Sequence, residues 1–78
     1  MTIRSKYLTR REYDVLELIA LQCTSNEIAE ILFISTETVS THRKKLIIKL
    51  GARNSVGMVL NAFHRGILTL QNDRSSFA

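Results

Sequence analysis

The sequence contains no proline, no tryptophan, three glycines and a single cysteine. Without proline, every residue keeps its amide donor and a free φ, so helix is forbidden nowhere along the chain. The lone cysteine, Cys23, excludes an intrachain disulfide and fits a reducing compartment such as the cytoplasm. Among apolar neighbours it reads as a small core residue. No apolar run approaches the roughly 18 residues of a membrane span. The opening MTIRSKYLTRRE lacks the apolar stretch of a signal peptide. No membrane association is expected, and the cytoplasm is the expected location.

Catalytic signatures are missing as well. His42 and His64 fall on different predicted helices, and Cys23 has no base near it in sequence. There is no metal-ligand spacing, glycine-rich phosphate loop or paired-carboxylate pattern. An enzyme, a metal site and a bound cofactor are therefore not expected. His42 reads as a cap on the edge of the core or a phosphate contact, and His64 as solvated surface.

What is present is a globular composition, 45% hydrophobic over 78 residues. That length supports one domain, which buries roughly 60% of the surface its unfolded chain exposes. Charge is segregated. From Glu12 to His42 there are six acids and no lysine or arginine, whereas from Arg43 to Arg65 there are six basic residues and no acid. Four further cations lie between Arg4 and Arg11, and the net charge is +4. A clustered basic face is the electrostatic footprint of nucleic-acid binding, although solubility alone also produces it.

Apolar positions recur at three- and four-residue spacing, which predicts an all-α fold. A compact four-helix domain is expected, with helices at about residues 10–21, 25–32, 36–50 and 55–65. Thr9 and Glu12 form a capping box at the first start, flanked by Leu8 and Tyr13 at the positions of a hydrophobic staple. Leu16, Ile19 and Ala20 face inward; Glu12, Asp14 and Glu17 are placed in water. Thr24 and Glu27 repeat the box before helix two, whose buried stripe is Ile28, Ala29, Ile31 and Leu32. A break at Phe33-Ile34-Ser35 follows, Ser35 caps helix three, and Gly51 ends it. Asn54 caps helix four and Gly66 ends it. Residues 1–7 form a basic arm, 8–70 the domain and 71–78 a polar flexible tail.

A short helix, a turn of about three residues and a longer helix make a helix-turn-helix, in which the second helix can protrude. Residues 35–41, STETVST, are short hydroxyl side chains around one glutamate and one valine, and Arg43, Lys44 and Lys45 follow at once. At about 100° per residue, Val39, Leu46 and Leu50 share the core side, with the stem of Arg43 at its edge. Glu37, Thr41, Lys44 and Ile48 lie opposite, with Ser40 beside them. Small hydroxyl residues let a helix backbone approach base edges, and Lys44 reaches guanine acceptors from the same face. Thr38, Lys45 and Lys49 form a flanking row suited to phosphates. Glu37 either accepts from a cytosine amino group or favours the helix N-terminus. Ile48 is an awkward member of this face: either the helix has left the groove by then, or Ile48 packs on another element.

Helix four carries more apolar surface than an outer helix needs. Val56, Met58, Val59, Leu60, Ala62, Phe63 and Ile67 cover roughly 200° of it. Two accounts are open, core contact with both chain ends or a symmetric dimer contact through Val56, Val59, Leu60 and Phe63. A homodimer would set two reading helices on adjacent turns of double-stranded DNA.

Residues 8 to 68 resemble the LuxR/GerE-type DNA-binding domain of bacterial transcription regulators. LTRREYDVLELIA resembles the family's opening helix with its LTxRE start, and TSNEIAEIL is similar to its TNKEIA segment. ISTETVSTHRKKLIIKLGARN is similar to its ISxxTVxxHxxxIxxKLGxxN core. The resemblance implies a third helix reading the major groove and a fourth that mediates dimerisation. Carried over by position, base reading falls on Ser40, Thr41 and Lys44. Phosphate contacts fall on Ser25, Asn26, Thr38, Lys45 and Lys49. Gln22 departs from the pattern, standing where the family has glycine at the end of helix one. Gly57 departs too, in place of the glutamine that would close a capping box, and Ser40 replaces a frequently basic reading position. In this family the domain is often the output half of a response regulator or autoinducer receptor, so an N-terminal receiver or sensor domain is implied for some members, while others stand alone.

The expected function is sequence-specific DNA binding in transcription regulation. A sigma-factor module shares the LTxRE opening, but the apolar helix after KLGARN argues against it. A protein-interaction module that uses the fourth helix as its contact surface remains the alternative from another class.

Overall fold

The computed structural model describes residues 7–69, which form four α-helices and no strand. These are α1 (Arg10–Ala20), α2 (Ser25–Leu32), α3 (Thr36–Leu50) and α4 (Ser55–His64). The expected arm, apart from Tyr7, and the expected 71–78 tail lie outside the described residues.

Each helix begins on a side-chain cap. Thr9 Oγ1 accepts from the Glu12 amide at 3.1 Å and Glu12 Oε1 accepts from the Thr9 amide at 3.0 Å, so two orphan donors are satisfied together. The Thr24–Glu27 pair does the same for α2 at 3.1 and 2.8 Å. Ser35 Oγ accepts from the Thr38 amide, and Asn54 Oδ1 from that of Gly57, at 3.0 and 2.9 Å. Gly57 offers no side chain in return, so α4 has half a box.

All four helices end in one way. A left-handed residue follows the last turn, and the amide after it donates back five residues to a carbonyl of that turn. The bonds are Cys23 to Leu18, Ile34 to Ala29, Ala52 to Ile47 and Ile67 to Ala62, each 2.9–3.0 Å. The left-handed residues are Gln22, Phe33, Gly51 and Gly66, with φ of 68°, 58°, 67° and 75°. Gly51 and Gly66 match the expected terminators. Gln22 and Phe33 adopt the same geometry with a Cβ, which is the strained way to do it.

α3 is the centre of the packing, in contact with α1, α2 and α4. Leu16, Ile28, Leu46, Leu50, Met58, Val15 and Val39 are fully buried and form the middle of the core. Val39, Leu46 and Leu50 are the stripe that helical spacing places inward. Two expectations are corrected. Ile31 is 50% exposed rather than buried, because short α2 turns only its Ile28–Ala29 edge fully to the core. Glu12, expected in water, is only 3% exposed, and its carboxylate is held by an ion pair with Lys49.

Side chains from α4 and from the residue that caps it also close the end of α3. Asn61 Nδ2 donates to the Leu50 carbonyl at 2.7 Å, and Arg65 reaches that of Lys49 at 3.4 Å. Those carbonyls have no partner within their own helix. The α3–α4 joint is thus fixed by polar contacts as well as by Met58 and Ala62.

Candidate nucleic-acid interface

α2, the turn through Phe33–Ser35 and α3 compose the expected helix-turn-helix. The outward face of α3 carries Glu37, Ser40, Thr41, Lys44, Lys45 and Ile48, all exposed. Lys44 and Lys45 are exposed and make no hydrogen bond or ion pair among the described residues. Thr41 is exposed, and its Oγ1 donates to the Glu37 carbonyl at 3.1 Å, so the hydroxyl oxygen is left as an acceptor. Ser40 is free of such contacts among the described residues.

Thr38 is exposed, and its Oγ1 lies 2.9 Å from Ser35 Oγ inside the cap of α3. On α2, Asn26 is exposed and Ser25 half-buried, both in the first turn. Hydroxyl, amide and lysine donors therefore stand at the starts of both helices and along one flank of α3.

Lys49 is the residue whose surroundings differ most from its expected role. Its Nζ lies 2.8 Å from Glu12 Oε1 and 3.2 Å from the Tyr7 carbonyl oxygen, and 5.7 Å from the centre of the Tyr7 ring. The ammonium expected on a phosphate is thus engaged inside the domain, tying α3 to α1. Burial by itself would raise the pKa of Glu12. The Lys49 ammonium, the Thr9 amide and the charge of Lys45 outweigh it and hold that pKa below the ordinary glutamate value.

Arg43 has a role beyond the edge of the core stripe. Its guanidinium donates to Ser55 Oγ at 2.6 Å, joining the middle of α3 to the first residue of α4. The position of Arg43 at the edge of the core stripe was the available signal, but its partner lies on another helix. Ile48 is 78% exposed, which removes the account in which it packs on a neighbouring element.

On α4 the apolar surplus divides. Val59 and Phe63 lean on the core, whereas Val56 and Leu60 remain 69% and 53% exposed. Together with Ile19, Ala20 and Gln22 of the α1 end, Val56, Val59 and Leu60 line a shallow apolar groove. Among the described residues no helix is long and apolar enough to cross a membrane.

A four-helix domain whose third helix presents an exposed basic face defines the class, a helix-turn-helix regulator domain. The chain belongs to the luxR family of bacterial regulatory proteins, whose family model matches residues 6–62. It is 44% identical over 62 residues to the transcriptional regulatory protein MctR of Rhizobium johnstonii, covering 80% of this chain and 29% of that protein. It is 38% identical over 63 residues to the response regulatory protein YgeK of Escherichia coli K12, covering 81% of this chain and 43% of that one. The chain thus spans less than half the length of these curated relatives. The solved structure of the transcription factor GerE superposes with a TM-score of 0.79 at 30% identity, covering 86% of this chain and all of that one. These likenesses are consistent with DNA binding.

Proposed function

We propose that the chain is a sequence-specific double-stranded DNA-binding domain of a transcription regulator, with α3 seated in the major groove. The observation that carries this reading is the outward face of α3, where small hydroxyl side chains adjoin two lysines with no internal partner. Ser40, Thr41 and Lys44 read base edges, Lys44 by donating to guanine acceptors. Thr41 serves as an acceptor and a methyl contact, since its own proton is held by Glu37. Ser25, Asn26, Thr38 and Lys45 hold phosphates and set the register. Lys49 is left out of this row, because removing its charge from Glu12 would strand a buried carboxylate.

Val56 and Leu60, with Val59 and Phe63 behind them, are the proposed homodimer contact on DNA. The domain acts in the bacterial cytoplasm, as a free-standing regulator or as the output half of a longer response regulator. The exposed Val56 and Leu60 also favour a second reading, a protein-interaction module with α4 as its surface.

Duplex binding measured by fluorescence anisotropy across a salt series separates the two readings. DNA binding through several phosphates gives an affinity that falls steeply and log-linearly with salt. A protein-interaction module would show no such duplex affinity, and its apolar contact would barely respond to salt.

A further inference from the structure

His42 stands one turn after Val39 and one turn before Leu46, two fully buried residues of α3, and its ring is half-buried beside them. Its two nitrogens differ. Nδ1 is sealed from solvent and has no hydrogen-bond partner among the described residues. Nε2 is neither sealed nor engaged. A neutral imidazole carries its proton on one nitrogen, and the other is a bare acceptor. A proton on Nδ1 would bury an N–H with no acceptor, and orphaned buried N–H groups are rarer than under-satisfied acceptors. The proton therefore belongs on Nε2, where it makes an outward donor on a ring held by packing.

At about 100° per residue, His42 falls between the core stripe and the flank of α3 that carries Thr38 and Lys45. The geometry points to His42 as a further contact to the DNA backbone, made by its Nε2–H donating to a phosphate oxygen. This rests on the DNA-binding reading above. The contact differs in kind from that of Lys45. A neutral imidazole, unlike a lysine, releases no counterion when it binds a phosphate. The Nδ1 edge of the His42 ring is already buried, so less side-chain entropy is lost on binding than for an exposed lysine. It fixes the position of α3 without reading sequence.

Long-range 1H–15N NMR of the full chain reports which ring nitrogen is protonated. The expected result is an Nε2–H tautomer in the free protein and a shifted, protected Nε2–H on titration with duplex DNA. His42→Phe keeps the ring packing and removes the donor. It should weaken binding about tenfold, the size of one hydrogen bond to a charged group, for preferred and scrambled duplexes alike. The slope of affinity against salt should stay as in the unmodified chain. His42→Gln, which carries an amide donor, should recover part of the loss. An Nδ1–H tautomer, an Nε2–H unaffected by bound DNA, or a folded His42→Phe protein that binds as tightly as the unmodified chain would overturn the proposal. If His42→Phe does not fold, the NMR titration of the unmodified chain decides alone. Failure of the unmodified chain to bind any duplex at low salt would remove the DNA-binding reading itself, and this contact with it.

Discussion

Lys49 Nζ and Glu12 Oε1 lie 2.8 Å apart, joining the last turn of α3 to the first turn of α1 across 37 residues of sequence. The same carboxylate oxygen accepts from the Thr9 amide at 3.0 Å, so one atom both caps α1 and anchors α3. Because Glu12 is buried, the pair stabilises mainly by what its loss would leave behind, an uncompensated carboxylate in the domain interior.

Lys49→Met should therefore lower stability by about 1–3 kcal/mol, less than for a fully buried pair because the lysine is partly solvated. Urea denaturation followed by circular dichroism measures it. The pH dependence has a definite sign. The folded-state pKa of Glu12 lies below its ordinary value of 4.5, so its contribution is complete above that value and is lost as pH falls through the lower folded one. Below pH 4.5 the unmodified chain should lose stability more steeply than Glu12→Gln.

Two neighbouring lysines should behave differently on DNA. Lys44→Ala should cost roughly 1–3 kcal/mol on the preferred site and relax selection at one base position. Lys45→Ala should weaken all sequences alike and reduce the salt slope by about one unit. Anisotropy on preferred and scrambled duplexes over a salt series gives both quantities, and identical behaviour of the two variants would refute the assignment of faces.

Gln22→Gly should raise stability by about 0.5–1 kcal/mol, because Gln22 holds a left-handed φ of 68° that glycine adopts freely. Its side chain is exposed, so little packing is lost. Comparison of urea midpoints, with the same slope in both proteins, checks the prediction.

Leu60→Lys puts a charge on the exposed strip of α4 without entering the core. The isolated domain should keep its thermal midpoint within a few degrees, since surface substitutions typically change stability by less than about 0.5 kcal/mol. On a two-half-site duplex, cooperative occupancy should disappear and single-site binding remain. Retained cooperativity would move the dimer contact away from α4.

Val39→Ala opens a cavity in the centre of the core and should cost roughly 1–3 kcal/mol with base preference unchanged. A stable Val39→Ala protein with altered specificity would contradict its inward placement.

The local parts of this fold were legible in the sequence. Both threonine–glutamate boxes, the Ser35 and Asn54 caps and the two glycine termini are set by residues within one turn of each other, so spacing suffices to find them. The core stripe of α3 followed from helical period alone. What spacing could not supply were partners from other elements. Glu12 reads as a solvated capping acid until Lys49 arrives from another helix, and Arg43 has no visible partner until α4 brings Ser55 beside it. The same blindness hid the pairing of Lys49, the lysine expected on a phosphate, with Glu12. Phe33 escaped for a different reason, since nothing local marks an aromatic residue as left-handed when the expected terminator is glycine.

The most direct test of the central claim is selection of binding sites from a random duplex library at moderate salt, with the unmodified chain and Lys44→Ala side by side. The unmodified chain should enrich an inverted repeat with half-sites about one helical turn apart. The Lys44→Ala pool should lose preference at a single position of each half-site. No enrichment for the unmodified chain, with only salt-sensitive bulk binding, would contradict the assignment of α3 as a sequence-reading helix.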